Sequence, residues 1–95
     1  MKNAPLEKTI VNQILKFLNA LPSTYCWKVH GGMYGKAGIA DIIGVWNGRC
    51  IAVEVKRPGK EPTSLQDDFL YRVAVNGGFA VCAHSVDELR AQMAE

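Results

Sequence analysis

The sequence lacks several features that would point directly to a class of function. It has no apolar run long enough to span a membrane and no recognisable secretory signal, so we expect neither a membrane protein nor a secreted one. It also has no internal repeat, low-complexity segment or interdomain linker. A chain of 95 residues that is 48% apolar suits a single domain, residues 1–95, with a core just large enough to fold alone.

Excess charge and paired cysteines are missing as well. The net charge of +2 is too small to indicate nucleic-acid binding by itself, so any basic contact surface must be local. The three cysteines, Cys26, Cys50 and Cys82, form no C-x-x-C pair and no Cys/His spacing of a metal site. We therefore expect buried free thiols in a reducing compartment, the cytoplasm.

The glycine-rich stretch 31–38 does not match the known phosphate-binding loops. A P-loop would need glycine at His30 and serine or threonine at Ala37. Met33 occupies the first glycine of the only G-x-G-x-x-G frame that ends at Gly38. The sequence therefore contains no recognisable nucleotide-binding loop.

The same stretch is still a candidate for nucleic-acid contact, because it leads directly into Asp41. Glycine permits close approach of the backbone to a ligand, lysine can bind a phosphate, and tyrosine can stack on a base. A flexible connection between two strands is the alternative. The candidate contacts in this stretch are Tyr34, Gly35, Lys36 and Gly38.

What the sequence does contain is a strong hairpin signal, Asn47-Gly48, between two apolar runs. Both residue types tolerate positive φ, which a two-residue type I′ turn requires. Such a turn places Asp41 directly opposite Glu54, with Cβ atoms about 4.5–5.5 Å apart. Strand alternation places Lys56 on the same face of the sheet.

The predicted pairing of Asp41 with Glu54 requires some form of neutralisation. Like charges directly opposite each other destabilise a sheet, and the apolar neighbours indicate a largely buried strand pair. Lys56 could offset the charge, one carboxyl could stay protonated, or a divalent cation could bind. Hard cations such as Mg²⁺ prefer carboxylate oxygen and commonly bind one or two carboxylates plus a substrate phosphate.

Hydrophobic periodicity and turn residues predict three helices and four strands in the order α-β-β-β-α-β-α. A hairpin followed by a crossover helix and a further strand indicates an α/β fold, a mixed β-sheet flanked by helices. The elements outside the hairpin are a helix over 6–21, a strand over 25–30, a helix from the N-cap Thr63 to about Asn76, a strand over 79–84, and a final helix opened by a capping box at Ser85–Glu88.

Four polar residues outside the hairpin are further candidates for the site. Glu7 lies on or beside the apolar stripe of the first helix, either as a favourable acid near the helix N-terminus or as a side chain that faces the site. Gln66 could complete a capping box with Thr63 or point its amide inward. Arg57 and Lys60 flank a turn and could lie near the carboxylates, with a solvated basic edge as the alternative.

One set of residues resembles the pattern of a known nuclease family. The set consists of Gly38-Ile39-Ala40-Asp41, Glu54-Val55-Lys56, Pro58-Gly59 and Gln66. It resembles the PD-(D/E)XK nuclease superfamily and, more narrowly, the VRR-NUC (virus-type replication–repair nuclease) domain, over nearly the whole chain. An acid followed by Glu-x-Lys is a weak pattern, but the full set with the Asn-Gly hairpin is considerably more specific. Ala40 departs from the family pattern, which has proline at this structural position.

The resemblance implies a restriction-endonuclease-like core with catalysis on the central hairpin. It implies that Asp41 and Glu54 bind Mg²⁺ or Mn²⁺, with the Val55 backbone carbonyl completing the protein ligands. It also implies that Lys56 orients or activates the attacking water and stabilises developing negative charge. The implied catalytic residues are Glu7, Asp41, Glu54, Lys56 and Gln66.

The resemblance also implies a substrate and a partner. Small stand-alone members of the family are expected to act as homodimers on branched DNA, notably four-way (Holliday) junctions, in a bacterial or phage-infected cell. The prediction is therefore a metal-dependent, structure-selective DNA endonuclease. The alternative is a non-catalytic nucleic-acid-binding module on the same fold, in which Asp41, Glu54 and Lys56 form an internally compensated ion cluster. An ordinary Glu54–Lys56 charge pair would leave Asp41 unexplained.

Overall fold

A computed structural model describes residues 5–30 and 37–94, and the predicted order of elements is confirmed. No helix in these two segments is long and apolar enough to cross a membrane. The elements are α1 (Glu7–Asn19), β1 (Thr24–Lys28), β2 (Ile42–Trp46), β3 (Arg49–Val55), α2 (Ser64–Val75), β4 (Phe79–Ala83) and α3 (Val86–Ala94).

The four strands form one mixed sheet in the order β1-β2-β3-β4. The first three strands pair antiparallel, and β4 pairs parallel with β3 after the chain crosses over through α2. A parallel pair needs such a crossover, because a tight turn can only reverse the chain. The predicted α/β fold with a mixed sheet flanked by helices is confirmed.

The hairpin has the register that its turn predicted. Asn47 and Gly48 both have positive φ, 51° and 79°, and β2 pairs with β3 from Trp46 opposite Arg49 onward. Asp41 lies one residue before β2, and extension of the register places it opposite Glu54.

Helices cover the two faces of the sheet unequally. On one face, α1 and α3 bury Ile10, Ile14 and Leu89 against apolar side chains of β2 and β3. On the other face, α2 packs against β3 and β4, with Leu70 beside Ala52. The second face also contains the side chains of Glu54 and, by alternation, Asp41.

The ends of several elements differ from the predicted bounds. The first helix ends at Asn19, whose side chain binds β1, accepting from the Cys26 N–H over 2.8 Å and donating to the Cys26 carbonyl over 3.0 Å. The expectation of three buried thiols is wrong for Cys50, which is exposed next to the hairpin turn. Cys26 is buried and Cys82 is partly buried, and both are free thiols.

Candidate metal centre

The backbone on both sides fixes Asp41, just before β2 begins. Its Oδ2 accepts a hydrogen bond from the Val55 N–H over 2.8 Å, which ties the side chain to the end of β3. Its own carbonyl accepts from the Val29 N–H over 2.8 Å, which ties the main chain to β1. The carboxylate is therefore oriented by the sheet rather than by a flexible loop.

Glu54 is buried beside Asp41, near the end of the inner strand β3. It is 1% exposed and is the one buried charged residue among those described in segments 5–30 and 37–94. Its Oε1 is buried and receives no hydrogen bond from the part of the chain that the structure describes, and its Oε2 lies 3.7 Å from Nζ of Lys56. A buried carboxylate oxygen without a donor is costly, so the site favours either a proton or a cation at this position.

The protonation of Glu54 reflects this environment. Burial is the main cause that raises the pKa of Glu54 from 4.5 to about 7, and the neighbouring Asp41 charge and a hydrogen bond with Asp41 raise it further. The Lys56 ammonium acts in the opposite direction, and Glu7 adds a smaller upward effect. Without a bound cation, the two carboxyl groups therefore tend to hold a proton near neutral pH.

The donor set fits a hard divalent cation. In an antiparallel ladder the N–H and C=O of one residue point to the same side, so the Val55 carbonyl lies on the Asp41 side of β3, together with the Val55 N–H that binds Asp41. Two carboxylates and one backbone carbonyl form an all-oxygen set of the kind that Mg²⁺ and Mn²⁺ prefer. In the described parts of the chain, no group of three or more His, Cys, Asp or Glu side chains could hold a metal, so water or substrate would have to complete the coordination.

Glu7 lies near the site but does not join the carboxylate pair. It is the first residue of α1, partly buried, and close enough to raise the pKa of Glu54 through its charge. The sequence predicts that Glu7 lies on or beside the apolar stripe of this helix, and the buried residues Ile10, Val11 and Ile14 follow it at helical spacing.

Gln66 forms the capping box with Thr63, which was the simpler of the two roles predicted for it. Its Oε1 accepts from the Thr63 N–H over 2.8 Å, and its N–H donates to the Thr63 hydroxyl over 3.3 Å. A catalytic role for Gln66 stays a prediction.

The predicted DNA contacts are only partly within the described chain. Tyr34, Gly35 and Lys36 lie outside it. Arg57 and Lys60 follow Lys56 in a turn closed by a 3.0 Å bond from the Lys60 N–H to the Arg57 carbonyl, and the Lys60 side chain is exposed.

Gly38 has a packing role that the sequence did not reveal. Its φ is +75°, and a Cβ at this position would lie 2.6 Å from the carbonyl carbon of Leu65 in α2. Only glycine therefore fits between the segment that leads to Asp41 and the first turn of α2.

Sequence reasoning missed two neighbours of the site. Cys82 pairs with Glu54 across β3 and β4, and burial, followed by the Glu54 charge, raises the pKa of its thiol to about 11. A neutral thiol is a weak nucleophile and a poor metal ligand, so we expect the Cys82 side chain to pack beside Glu54 without a chemical role. The parallel pairing that creates this contact could not be read from local spacing.

His84 is the second residue that was missed. Its Nδ1 lies 2.8 Å from Oε1 of Glu88 in α3, and its Nε2 lies 2.8 Å from the Lys60 carbonyl. The same Glu88 oxygen accepts from the His84 N–H, so Glu88 does not complete the capping box predicted at Ser85, although the Ser85 hydroxyl accepts from the Glu88 N–H over 3.0 Å. His84 thus connects the segment after Lys56 to α3.

Comparison with known proteins agrees with this architecture. No protein-family model matches the chain, and no curated protein matches it. A solved structure of a VRR_NUC domain protein superposes with a TM-score of 0.77 at 19% sequence identity, over 97% of this chain and 88% of that one. The chain has the VRR-NUC fold. The match extends over nearly the whole chain, as the resemblance of the sequence did. The fold that this resemblance implied, a mixed sheet flanked by helices as in VRR-NUC domains, is therefore confirmed.

Proposed function

We propose that this VRR-NUC-fold protein is a DNA endonuclease that hydrolyses phosphodiester bonds with Mg²⁺ or Mn²⁺, and that it selects branched DNA such as four-way junctions. The observation that carries the proposal is the Glu54 carboxyl group beside Asp41: its buried Oε1 has no hydrogen-bond donor among residues 5–30 and 37–94, while Nζ of Lys56 lies 3.7 Å from Oε2. An oxygen pair of this kind is the binding chemistry of a hard cation.

Asp41, Glu54 and the Val55 carbonyl would hold the cation. When bound, Mg²⁺ or Mn²⁺ supplies a Lewis acid for the phosphoryl oxygen and lowers the pKa of a bound water. The Val55 N–H keeps Oδ2 of Asp41 in place, and the sheet around Glu54 excludes water. The carboxylates are thus positioned before the substrate arrives, which avoids reorganisation during the reaction.

Lys56 supplies a positive group next to the carboxylates. It is 17% exposed, so its side chain is largely shielded while its ammonium still lies at the edge of the site. Hydrolysis of a phosphodiester places extra negative charge on the pentavalent transition state, and a positive group already in position stabilises that charge more than the ground state. Lys56 would also orient the attacking water.

Selection of branched DNA and a homodimer belong to the same proposal. One small domain offers one site, whereas symmetric resolution of a four-way junction needs two cuts, so two copies are expected to act together. Backbone and base contacts are assigned to Tyr34, Gly35, Lys36, Gly38, Arg57 and Lys60.

The test compares cleavage of matched linear, flap and four-way DNA with Mg²⁺, Mn²⁺ or EDTA, with Glu54→Ala as the inactive control. We expect metal-dependent cleavage of branched DNA by the wild type and none by the variant. Cleavage by Glu54→Ala at the wild-type rate would refute the metal assignment. Binding of every DNA without cleavage would instead support a non-catalytic nucleic-acid-binding module.

Sedimentation at micromolar concentration with junction DNA tests the dimer, and a monomer would count against it.

A further inference from the structure

Two aromatic side chains lie side by side on an open part of the sheet. Tyr25 is 70% exposed and Trp27 is 44% exposed, and their ring centroids are 5.6 Å apart at an interplanar angle of 49°. We call this pair the aromatic platform. Val45, which pairs with Tyr25 and is 45% exposed, extends its apolar surface. Adjacent exposed aromatic rings on a strand are unusual for a surface without a binding role.

The aromatic platform lies on the same face of the sheet as the carboxylates. Trp27 pairs with Ile43, and Asp41 is two residues from Ile43, so strand alternation places both on one side. The 2.8 Å bond from the Val29 N–H to the Asp41 carbonyl continues that pairing up to the site. Diagonal neighbours of this kind are about 7–8 Å apart, within reach of an aromatic side chain.

Among the described residues, no helix packs mainly on this part of the face. The second face is covered by α2, which packs on β3 and β4, while the aromatic platform is carried by β1 at the far edge of the sheet. The candidate metal centre thus has α2 on one side and an open aromatic surface on the other.

We propose that the aromatic platform stacks unpaired DNA bases next to the phosphodiester that is cut. The inference rests on the proposed nuclease function and adds the property that selects the substrate. Aromatic side chains stack on any base whose face is accessible, which single-stranded segments offer and intact duplex does not. Stacking beside the metal centre would place cleavage where bases are unpaired, as they are at flaps and at junctions that have opened.

A second copy of the chain fits this surface less well than DNA does. The outer edge of β1 is already bound at Cys26, whose N–H and carbonyl pair with the Asn19 side chain, so a strand from another copy could not add there without breaking these bonds. Two aromatic side chains and a valine also offer roughly 400 Å² at most, about half of the roughly 800 Å² that each partner of a stable protein interface buries.

The experiment measures binding in EDTA, so that it does not depend on cleavage. The two tryptophans of the chain are Trp27 and Trp46, and in a Trp46→Phe background the fluorescence reports on Trp27 alone. A short oligothymidylate is expected to quench this fluorescence, whereas a blunt duplex of equal length is expected to quench it much less. Equal quenching by both would overturn the proposal.

The second part of the experiment measures the oligothymidylate affinity of single substitutions in the otherwise wild-type chain. We expect Trp27→Ala to weaken oligothymidylate binding by about tenfold or more, and Trp27→Phe, which keeps a ring, to retain most of the affinity. The matched control is Tyr71→Ala, which removes a 66% exposed aromatic side chain of α2 and should leave binding unchanged. A thermal melt of each variant confirms that it is folded.

Three other outcomes separate the proposals. Wild-type affinity in a folded Trp27→Ala variant would refute the aromatic platform even if the protein cleaves DNA. Tenfold weaker binding by that variant, combined with no cleavage by the wild type under any metal, would support the aromatic platform and refute the nuclease. A Tyr25→Ala change that alters sedimentation but not oligothymidylate binding would assign the surface to a second copy and overturn the proposal.

Discussion

The N–H of Val55 donates to Oδ2 of Asp41 over 2.8 Å, so the last residue of β3 holds the carboxylate that precedes β2. This bond uses one lone pair of Asp41 and fixes the direction of the other oxygen. Glu54, the residue before Val55, is thereby brought beside a second acid, and its Oε1 has no donor among the described residues. The charge conflict is built into the hairpin, and its relief by a proton or a cation can be measured.

Replacement of Glu54 by glutamine should stabilise the metal-free protein above neutral pH. Because the folded pKa is raised from 4.5 to about 7, the stability contributed by the protonated form is complete below pH 4.5 and is lost as pH rises through 7. In EDTA, the wild-type Tm should therefore fall between about pH 5 and pH 8, whereas that of Glu54→Gln should fall less, which corresponds to a difference of about 1–3 kcal/mol in unfolding free energy.

The same variant should lose its response to metal. Mg²⁺ or Mn²⁺ is expected to raise the wild-type Tm at pH 8 and to leave that of Glu54→Gln unchanged, because binding to the folded state alone stabilises it. Glu7→Gln is the control, because Glu7 has the smallest of the identified effects on the pKa of Glu54. This variant should keep the metal-induced rise in Tm. Equal metal shifts in wild type and Glu54→Gln would contradict the predicted ligand set.

Lys56→Met should slow the chemical step more than it weakens DNA binding. Loss of one positive group placed for the transition state typically costs about 10²–10³ in rate, so the single-turnover rate at saturating branched DNA should fall by about that factor. Lys60→Met is the matched control: its exposed side chain is a predicted DNA contact, so its loss should weaken binding but leave the saturated rate near wild type. Similar rates for Lys56→Met and wild type would contradict the proposed catalytic role of Lys56.

His84 should make the fold more stable at low pH than at high pH. Both ring nitrogens face acceptors, Glu88 Oε1 and the Lys60 carbonyl, and a ring that donates from both nitrogens must be charged. The hydrogen bond to the Lys60 carbonyl and then the one to Glu88 raise the pKa of His84 above its usual 6.5, while Glu61, 3.9 Å away, adds a smaller effect. The stabilisation is therefore present below pH 6.5 and is lost as pH rises through the raised value.

The measurement compares Tm values of wild type and His84→Gln at pH 5.5 and pH 8.5. The destabilisation caused by the substitution should be larger at pH 5.5. His30→Gln, which changes the other histidine, an exposed one, should have little effect at either pH. A destabilisation by His84→Gln that is the same at both pH values would show that the charged ring is not what joins these segments.

The hairpin and its carboxylate pair could be predicted from sequence because each rests on local rules. Asn47-Gly48 fixes the turn, the turn fixes the register, and the register alone places Asp41 opposite Glu54. The same holds for the helix that begins with Thr63, whose capping box with Gln66 is formed as the spacing indicated.

Contacts between segments far apart in the chain could not be predicted in this way. His84 binds a carbonyl 24 residues away, and Cys82 meets Glu54 only because β4 pairs parallel with β3. The sequence marks Asn19 only as a polar helix residue, yet its side chain binds the edge of β1 at Cys26. Local spacing has no information about such pairs, since they depend on how the helices bring distant segments together.

Gly38 is expected to be a sensitive position for both stability and activity. Alanine there would combine the strain of a φ of +75° with a Cβ 2.6 Å from the Leu65 carbonyl carbon, and the segment that leads to Asp41 would have to move away from α2. Gly77→Ala is the matched control, because Gly77 has a φ of +98° and no atom of the described residues lies within 4 Å of the added Cβ. Gly38→Ala should therefore lower the Tm more than Gly77→Ala, by an amount equivalent to about 1–3 kcal/mol. It should also lower the metal-induced rise in Tm, and equal effects of the two substitutions would mean that contact with α2 does not position Asp41.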